Sequence, residues 1–288
     1  MAEITAALVK ELREITGAGM MECKKALTEA EGEIEAAIDV LRTRGLAAVA
    51  KKAGRATNEG TVMAVTSPSQ KDGVIVELKC ETDFVGMNEK FHAYAKKIAE
   101  AALYSDAEVT AENIKDCELD GEKVSDILTD CIHVMGENSE IATVTKVHAD
   151  GVASYIHGGG KIGVLVTFEL SDEIDPAEAG FIACARDVAM QVAATDPVAA
   201  TREDVPEDIR EHEMGIYKAQ AAESGKPEAI QTKIAEGRMH KFFAENCLVE
   251  QVFVKDGDLT VEQYVDKCAK ELGGQMKVTG FVRVALAA

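Results

Sequence analysis

At Thr82 the apolar residues of this chain change their period, and that switch limits the fold more than any other feature. Val74, Val76, Leu78 and Cys80 alternate with Ile75, Glu77 and Lys79, as in a strand with one buried face. Beyond the switch, Phe84, Met87, Phe91, Ile98 and Ala102 fall at helical spacing, which predicts a helix from Phe84 to about Leu103. Thr82 and Asp83 stand at the join, where a side-chain oxygen can cap the free N–H groups of a helix start. An acid and a large ring therefore occupy a strand-to-helix corner, held at its base and open at its tip. Two readings of Phe84 are open. It starts the apolar stripe and is core, as most periodic aromatics are, or Asp83 and Phe84 project into a partner.

The rest of the chain supplies layers for that corner. Residues 1–50 predict three short helices. Ile4, Ala7, Leu8, Glu11, Leu12 and Ile15 mark the first, and Thr16-Gly17-Ala18-Gly19 breaks it. Met20 and Met21 open a second that runs through Leu27, and Ile34, Ala37, Ile38 and Leu41 mark a third. A bundle this small has little core and suits docking. The methionine pair reads as half core, half surface, with packing favoured over a binding face as its single role. Gly45 to Gly60, with Lys51, Lys52 and Arg55, reads as a solvated tether, the alternative being a contact with an acidic partner surface. Thr61–Thr66 and Val74–Cys80 predict a hairpin, and residues 104–140 read as mostly helical. Thr143–His148, Val152–His157 and Lys161–Leu170 then read as one meander, followed by a helix that stops at Asp196-Pro197. The thin apolar seam of residues 204–243 predicts two antiparallel helices projecting as a hairpin. Leu248–Val254 reads as a strand, Thr260 and Gln263 as a capping box, and Thr279–Ala285 as the last strand.

The fold class is therefore α+β. A three-helix docking domain spans 1–54, a first core unit 55–140, a second core unit 141–202 with 244–288, and a helical hairpin 203–243. The second unit repeats the plan of the first, antiparallel strands with helices on one side, although no residue-level repeat is visible.

Charge and motifs remove several functions. Lys plus Arg is 31 and Asp plus Glu 51, so the net charge is −20, a field that repels phosphate backbones. With no Trp and 5% aromatic residues, a base-stacking surface is disfavoured too. The seven cysteines form no C-x-x-C or Cys/His cluster, so no metal is expected. No apolar run approaches the ~18 residues of a membrane span. No signal peptide opens the chain, so it is expected in the cytoplasm. In His157-Gly158-Gly159-Gly160-Lys161 the lysine is followed by Ile162 and a strand, which suits a glycine hairpin and not a P-loop. His157 is either a partner contact or a solvated turn residue. No nucleophile, base and orienter assemble. The chain reads as an acidic binding protein of several modules, needing no cofactor and not an enzyme.

Two stretches carry a resemblance. Leu12 through Leu27, with Thr16-Gly17-Ala18-Gly19-Met20-Met21 at its centre, is similar to the N-terminal signature of the translation elongation factor Ts family. Glu77 through Val85 resembles the second signature of that family, around Thr82-Asp83-Phe84-Val85. His157 with its glycines, Ser224-Gly225-Lys226-Pro227 and Glu236-Gly237-Arg238-Met239 match it in order. The resemblance implies a ubiquitin-associated-like three-helix domain, a duplicated core and a helical hairpin. It implies guanine-nucleotide exchange on elongation factor Tu, with Thr82, Asp83, Phe84 and Val85 dislocating the partner's Mg²⁺. Phe84 would wedge between partner side chains and Asp83 would hold the wedge by hydrogen bonds. Lys10, Leu12, Met20, Met21 and Lys24 would dock on the partner's nucleotide domain, and His157 on another of its domains. Some members carry a further C-terminal helix that is not visible before Ala288, and Gly86-Met87 stand where small and basic residues are common. The alternative is a non-catalytic helical scaffold or dimerisation protein, with the hairpin pairing to a second copy.

Overall fold

The computed structural model describes residues 4–16 and 18–287, so Gly17, part of the expected first helix break, lies outside the described residues. Helices α1 (Ala6–Thr16), α2 (Met20–Glu29) and α3 (Ile34–Lys52) enclose a small core of Leu12, Cys23, Ala26, Leu27, Ala37 and Leu41. The buried stripe of α1 is rotated from the expected one, since Val9 and Leu12 are buried and Ile15 is 57% exposed.

The first half of the expected tether is helix. Helix α3 runs on to Lys52 because it packs along a core helix, α6 (Val124–Met135). Gly45 sits at that crossing, where a Cβ would lie 3.4 Å from Thr129 Cγ2. Arg42 pairs with Asp126 at 3.2 Å, and Lys52 Nζ donates to the Ile132 carbonyl at 2.9 Å. The basic residues thus dock the three-helix unit on the core.

The first sheet has the order β1-β2-β5, built from β1 (Glu59–Thr66), β2 (Asp72–Cys80) and β5 (Ser139–His148), with all pairings antiparallel. Val74, Val76, Leu78 and Cys80 pack on α5 (Glu89–Leu103) and α6, as the alternation predicts. Between those helices lie a 3-10 turn at Ile114–Asp116 and the two-residue strands β3 (Glu118–Leu119) and β4 (Glu122–Lys123). The expected mostly helical 104–140 is therefore corrected.

The second sheet has the order β10-β7-β6, from β6 (Gly151–His157), β7 (Ile162–Leu170) and β10 (Met276–Ala285). Helices α7 (Ala179–Thr195) and α10 (Val261–Glu271) pack on it over Val164, Val166 and Phe168. Each sheet has the same plan: a hairpin, then helices, then a third strand on the hairpin's second strand. The expected meander is a correction, because β5 pairs with β2 and not with β6. A strand's alternation encodes its buried face but not its neighbour. The boundary drawn at residue 140 consequently moves beyond His148.

The two sheets face each other through Val62, Ala64, Ile75, Val152 and Leu165. Gly160 makes the closest approach. Its φ is +96°, its carbonyl accepts the Val62 N–H at 2.7 Å, and a Cβ there would reach 2.0 Å from Thr61 Oγ1. The glycine run therefore serves a turn and a sheet joint.

Helices α8 (Glu207–Ala222) and α9 (Glu228–Asn246) lie side by side with only Ala221, Ala235 and Met239 buried between their described residues. The thin seam matches the sequence expectation. Val205, Cys247, Phe242 and Phe243 pack at the base. The strand expected over Leu248–Val254 is instead a 3-10 turn, Leu248–Glu250, and a two-residue strand β8 (Val252–Phe253) paired with β9 (Asp256–Thr260). The Thr260–Gln263 capping box is present. Among the described residues no helix is long and apolar enough to cross a membrane.

Candidate functional site

Strand β2 ends at Cys80, and a single helical turn, α4 (Asp83–Gly86), follows. Thr82 caps it in extended conformation, its hydroxyl accepting the Val85 N–H at 3.5 Å. The helix expected from Phe84 to Leu103 is broken here, because Asn88 caps a fresh start by accepting the Lys90 N–H at 2.9 Å. Phe84 and Met87 therefore leave the apolar stripe, and their side chains are 81% and 60% exposed. Phe91, Ile98 and Ala102 stay in it, fully buried. Of the two readings of Phe84, core is excluded.

The base of the corner is held by groups distant in sequence. Glu137 Oε2 accepts the N–H groups of Glu81 at 3.1 Å and Thr82 at 3.0 Å, and its Oε1 accepts the Thr82 hydroxyl at 2.6 Å. Glu81 Oε1 accepts the Asn138 N–H at 2.6 Å and faces Arg55 Nη1 at 3.4 Å. Asn138 Nδ2 donates to the Arg55 carbonyl at 2.9 Å. His92 Nε2 meets the Gly86 carbonyl at 2.8 Å, and the Cys80 thiol donates to the Thr82 carbonyl at 3.1 Å. Burial, and then the Glu137 carboxylate, push that thiol up to about 12. Gly86 is buried, with its backbone against Gly60 of β1. Asp83 is exposed beside the ring. The corner is an apolar tip with one carboxylate, on a base with little freedom to move.

The turn between α1 and α2, which precedes Met20, borders this corner. Gly19, just before Met20, and Val85, just after Phe84, line one groove of about 640 Å³ together with Arg13, Asn88, Lys90 and Met135. Met20 and Met21 are 53% and 64% exposed, so neither is core. Lys24 is exposed, as is Lys10, which meets Glu14 at 3.6 Å in a surface pair of little energetic weight. Leu12 is a correction: it is fully buried within the three-helix core and offers no surface to a partner. His157 is exposed, with its ring nitrogen 3.1 Å from the Tyr155 hydroxyl. Its turn reaches β1 at Thr61 and Val62 through Gly160, next to the Gly60 that receives Gly86. The corner and the His157 turn thus meet the same end of one strand.

Sequence reasoning missed Glu137, Asn138 and Arg55. The only local sign was Gly136, whose left-handed φ of +80° ends α6 and releases Glu137 from the helix. Among the described residues no group of three or more His, Cys, Asp or Glu side chains is placed to hold a metal ion.

Comparison with known proteins agrees with these features. The sequence profile described as Elongation factor TS matches residues 81–288. An Elongation factor Ts of Clostridium botulinum (strain ATCC 19397 / Type A) is 45% identical over 284 residues, covering 97% of this chain and 91% of that protein. Another, from Clostridium botulinum (strain Eklund 17B / Type B), is 47% identical over 283 residues, covering 97% and 92%.

Proposed function

Since the chain belongs to the elongation factor Ts family and so serves protein biosynthesis at translation elongation, we propose that it is the guanine-nucleotide exchange factor for elongation factor Tu. In this reading it makes and breaks no covalent bond. It binds the nucleotide-free, metal-free partner more tightly than the GDP-loaded one. By linkage, nucleotide then weakens the chain's grip by the same factor by which the chain weakens the nucleotide's. The partner holds GDP through backbone amides and a Mg²⁺ bridging to phosphate, so a group that disturbs the metal loosens both.

The observation that carries the reading is Phe84, 81% exposed on a corner braced by Glu137 and Gly86. A ring left in water on a rigid base gains apolar burial only when a partner opens to receive it. Full burial of such a ring is worth about 1.5–3 kcal/mol, roughly ten- to a hundredfold in affinity. Thr82 and Val85 set the turn, and Asp83 places a carboxylate that holds the wedge by hydrogen bonds. One wedge is not sufficient, so further grips are needed. Met20, Met21, Lys24 and Lys10 supply one on the partner's nucleotide domain, and the His157 turn supplies another on a second domain. The three-helix unit is the docking module, the two sheet units the frame, and the α8–α9 hairpin a separate arm open to a second copy of the chain.

The test is direct. Elongation factor Tu loaded with a fluorescent GDP is mixed with the chain at several Mg²⁺ concentrations. Accelerated release, strongest where Mg²⁺ is abundant, is the expected result. Release at the spontaneous rate would leave only the scaffold reading.

A further inference from the structure

Two loops 55 residues apart in sequence close on each other by exchanging carboxylates. Strand β2 ends at Cys80 and helix α4 starts at Asp83, so the N–H groups of Glu81 and Thr82 belong to neither ladder. Glu137 takes both, and the Thr82 hydroxyl as well. Glu81 returns the contact to the N–H of Asn138, and Asn138 closes on the Arg55 carbonyl. Ionised acceptors make short, directional bonds. A turn whose N–H groups faced water would swing, whereas here each has a fixed protein oxygen. Thr82 lies two residues before Phe84 on this clasp, with α4 carrying the ring outward.

We propose that Glu137, reciprocated by Glu81, is the positioning residue of nucleotide exchange: it sets the direction in which Phe84 projects without itself meeting the partner. The proposal rests on the exchange reading above. It accounts for why an acid directly after the αL glycine of α6 points back to a strand end. It also ties the segment leaving α3, through Arg55, to the same clasp, so docking of the three-helix unit and aim of the ring share one set of bonds.

The experiment is a double-mutant cycle on the full chain, with the maximal rate of GDP release and the half-saturating concentration read separately. Glu137→Ala is expected to lower the maximal rate about tenfold while moving half-saturation less than about threefold. Glu137→Gln restores the rate to within about twofold, since its amide oxygen can take both N–H groups and its amide nitrogen can donate to the Thr82 hydroxyl oxygen. In a Phe84→Ala background, Glu137→Ala costs less than about twofold, because the ring it aims is gone. An unchanged rate in Glu137→Ala, or an equal loss with and without Phe84, overturns the proposal. Should Glu137→Ala fail to fold, Glu81→Ala removes the reciprocal bond to the Asn138 N–H and enters the same cycle with the same two criteria. If the native chain does not accelerate GDP release from elongation factor Tu, the exchange reading fails and the aiming role fails with it. Amide exchange at Glu81 and Thr82, faster in Glu137→Ala, then still reports whether the clasp itself exists.

Discussion

Gly86 presses on Gly60: a Cβ built at Gly86 would come within 2.8 Å of the Gly60 carbonyl oxygen. The opposing atom is backbone in the first strand and cannot rotate away. Gly86→Ala must therefore lift α4 off β1 and tilt the Phe84 tip. The expected cost is about 1–3 kcal/mol of stability, by the usual magnitude of overpacking. Urea unfolding measures it, and an unchanged midpoint would show that α4 has slack. Exchange should slow in the same variant even though Phe84 is present.

Phe84→Ala separates fold from function. The ring is 81% exposed, so its removal should change stability by no more than about 0.5 kcal/mol, as for surface sites generally. Truncating a sealed phenylalanine would instead cost about 3–5 kcal/mol. Elongation factor Tu should still bind, because the methionine face and the His157 turn remain. GDP release should slow roughly ten- to a hundredfold, the equivalent of losing the ring's burial in the transition. Wild-type release rates from the fluorescent-GDP assay would remove Phe84 from the mechanism.

What the sequence made legible was local chemistry. Thr82 as a cap, the buried alternation of Val74 to Cys80, and the Thr260–Gln263 box each depend on residues a few positions apart. Glu137 was illegible because its targets lie 55 and 56 residues away, and nothing near it marks where its carboxylate goes. The run from Phe84 to Ala102 looked like one stripe because Phe84 and Met87 happen to fall on the period. Asn88 interrupts it by capping a new helix, and that needs only one side chain. Strand β5 was assigned to the wrong sheet since Asp150-Gly151 resembles a hairpin turn, and only tertiary packing reveals that β2 takes it. Lys51 and Lys52 resembled a solvated tether; Lys52 instead reaches a carbonyl of α6.

The α3–α6 crossing gives a paired prediction. A Cβ at Gly45 would meet Thr129 Cγ2 at 3.4 Å, an ordinary contact, and His133 Cβ at 3.7 Å. Gly45→Ala should be tolerated and gain up to about 1 kcal/mol from helix propensity. Gly45→Leu adds three carbons to a Cβ position already in contact with Thr129 and His133, and is expected to pry α3 from α6. Small-angle scattering would then show a larger radius of gyration, and the half-saturating concentration for exchange should rise while Gly45→Ala keeps it. Equal behaviour of both variants would mean that the three-helix unit does not depend on this crossing.

The thiols of the first core unit make alkaline stability a readout of its packing. Burial pushes Cys80 and Cys131 from 9.0 up to about 12. A folded value above the unfolded one means that the native state keeps protons that the unfolded chain releases between about pH 9 and about pH 12. The contribution is whole below about pH 9, and stability falls as pH rises through that window. Urea unfolding at about pH 8 and about pH 11 should therefore differ, and Cys80→Ala with Cys131→Ala should narrow the difference. At about pH 8 iodoacetamide should leave both thiols unlabelled in the folded chain and modify them in urea, since only the thiolate reacts. Rapid labelling of Cys80 in the native chain would show that the corner opens to solvent, and a corner that opens could not hold Phe84 in a fixed direction.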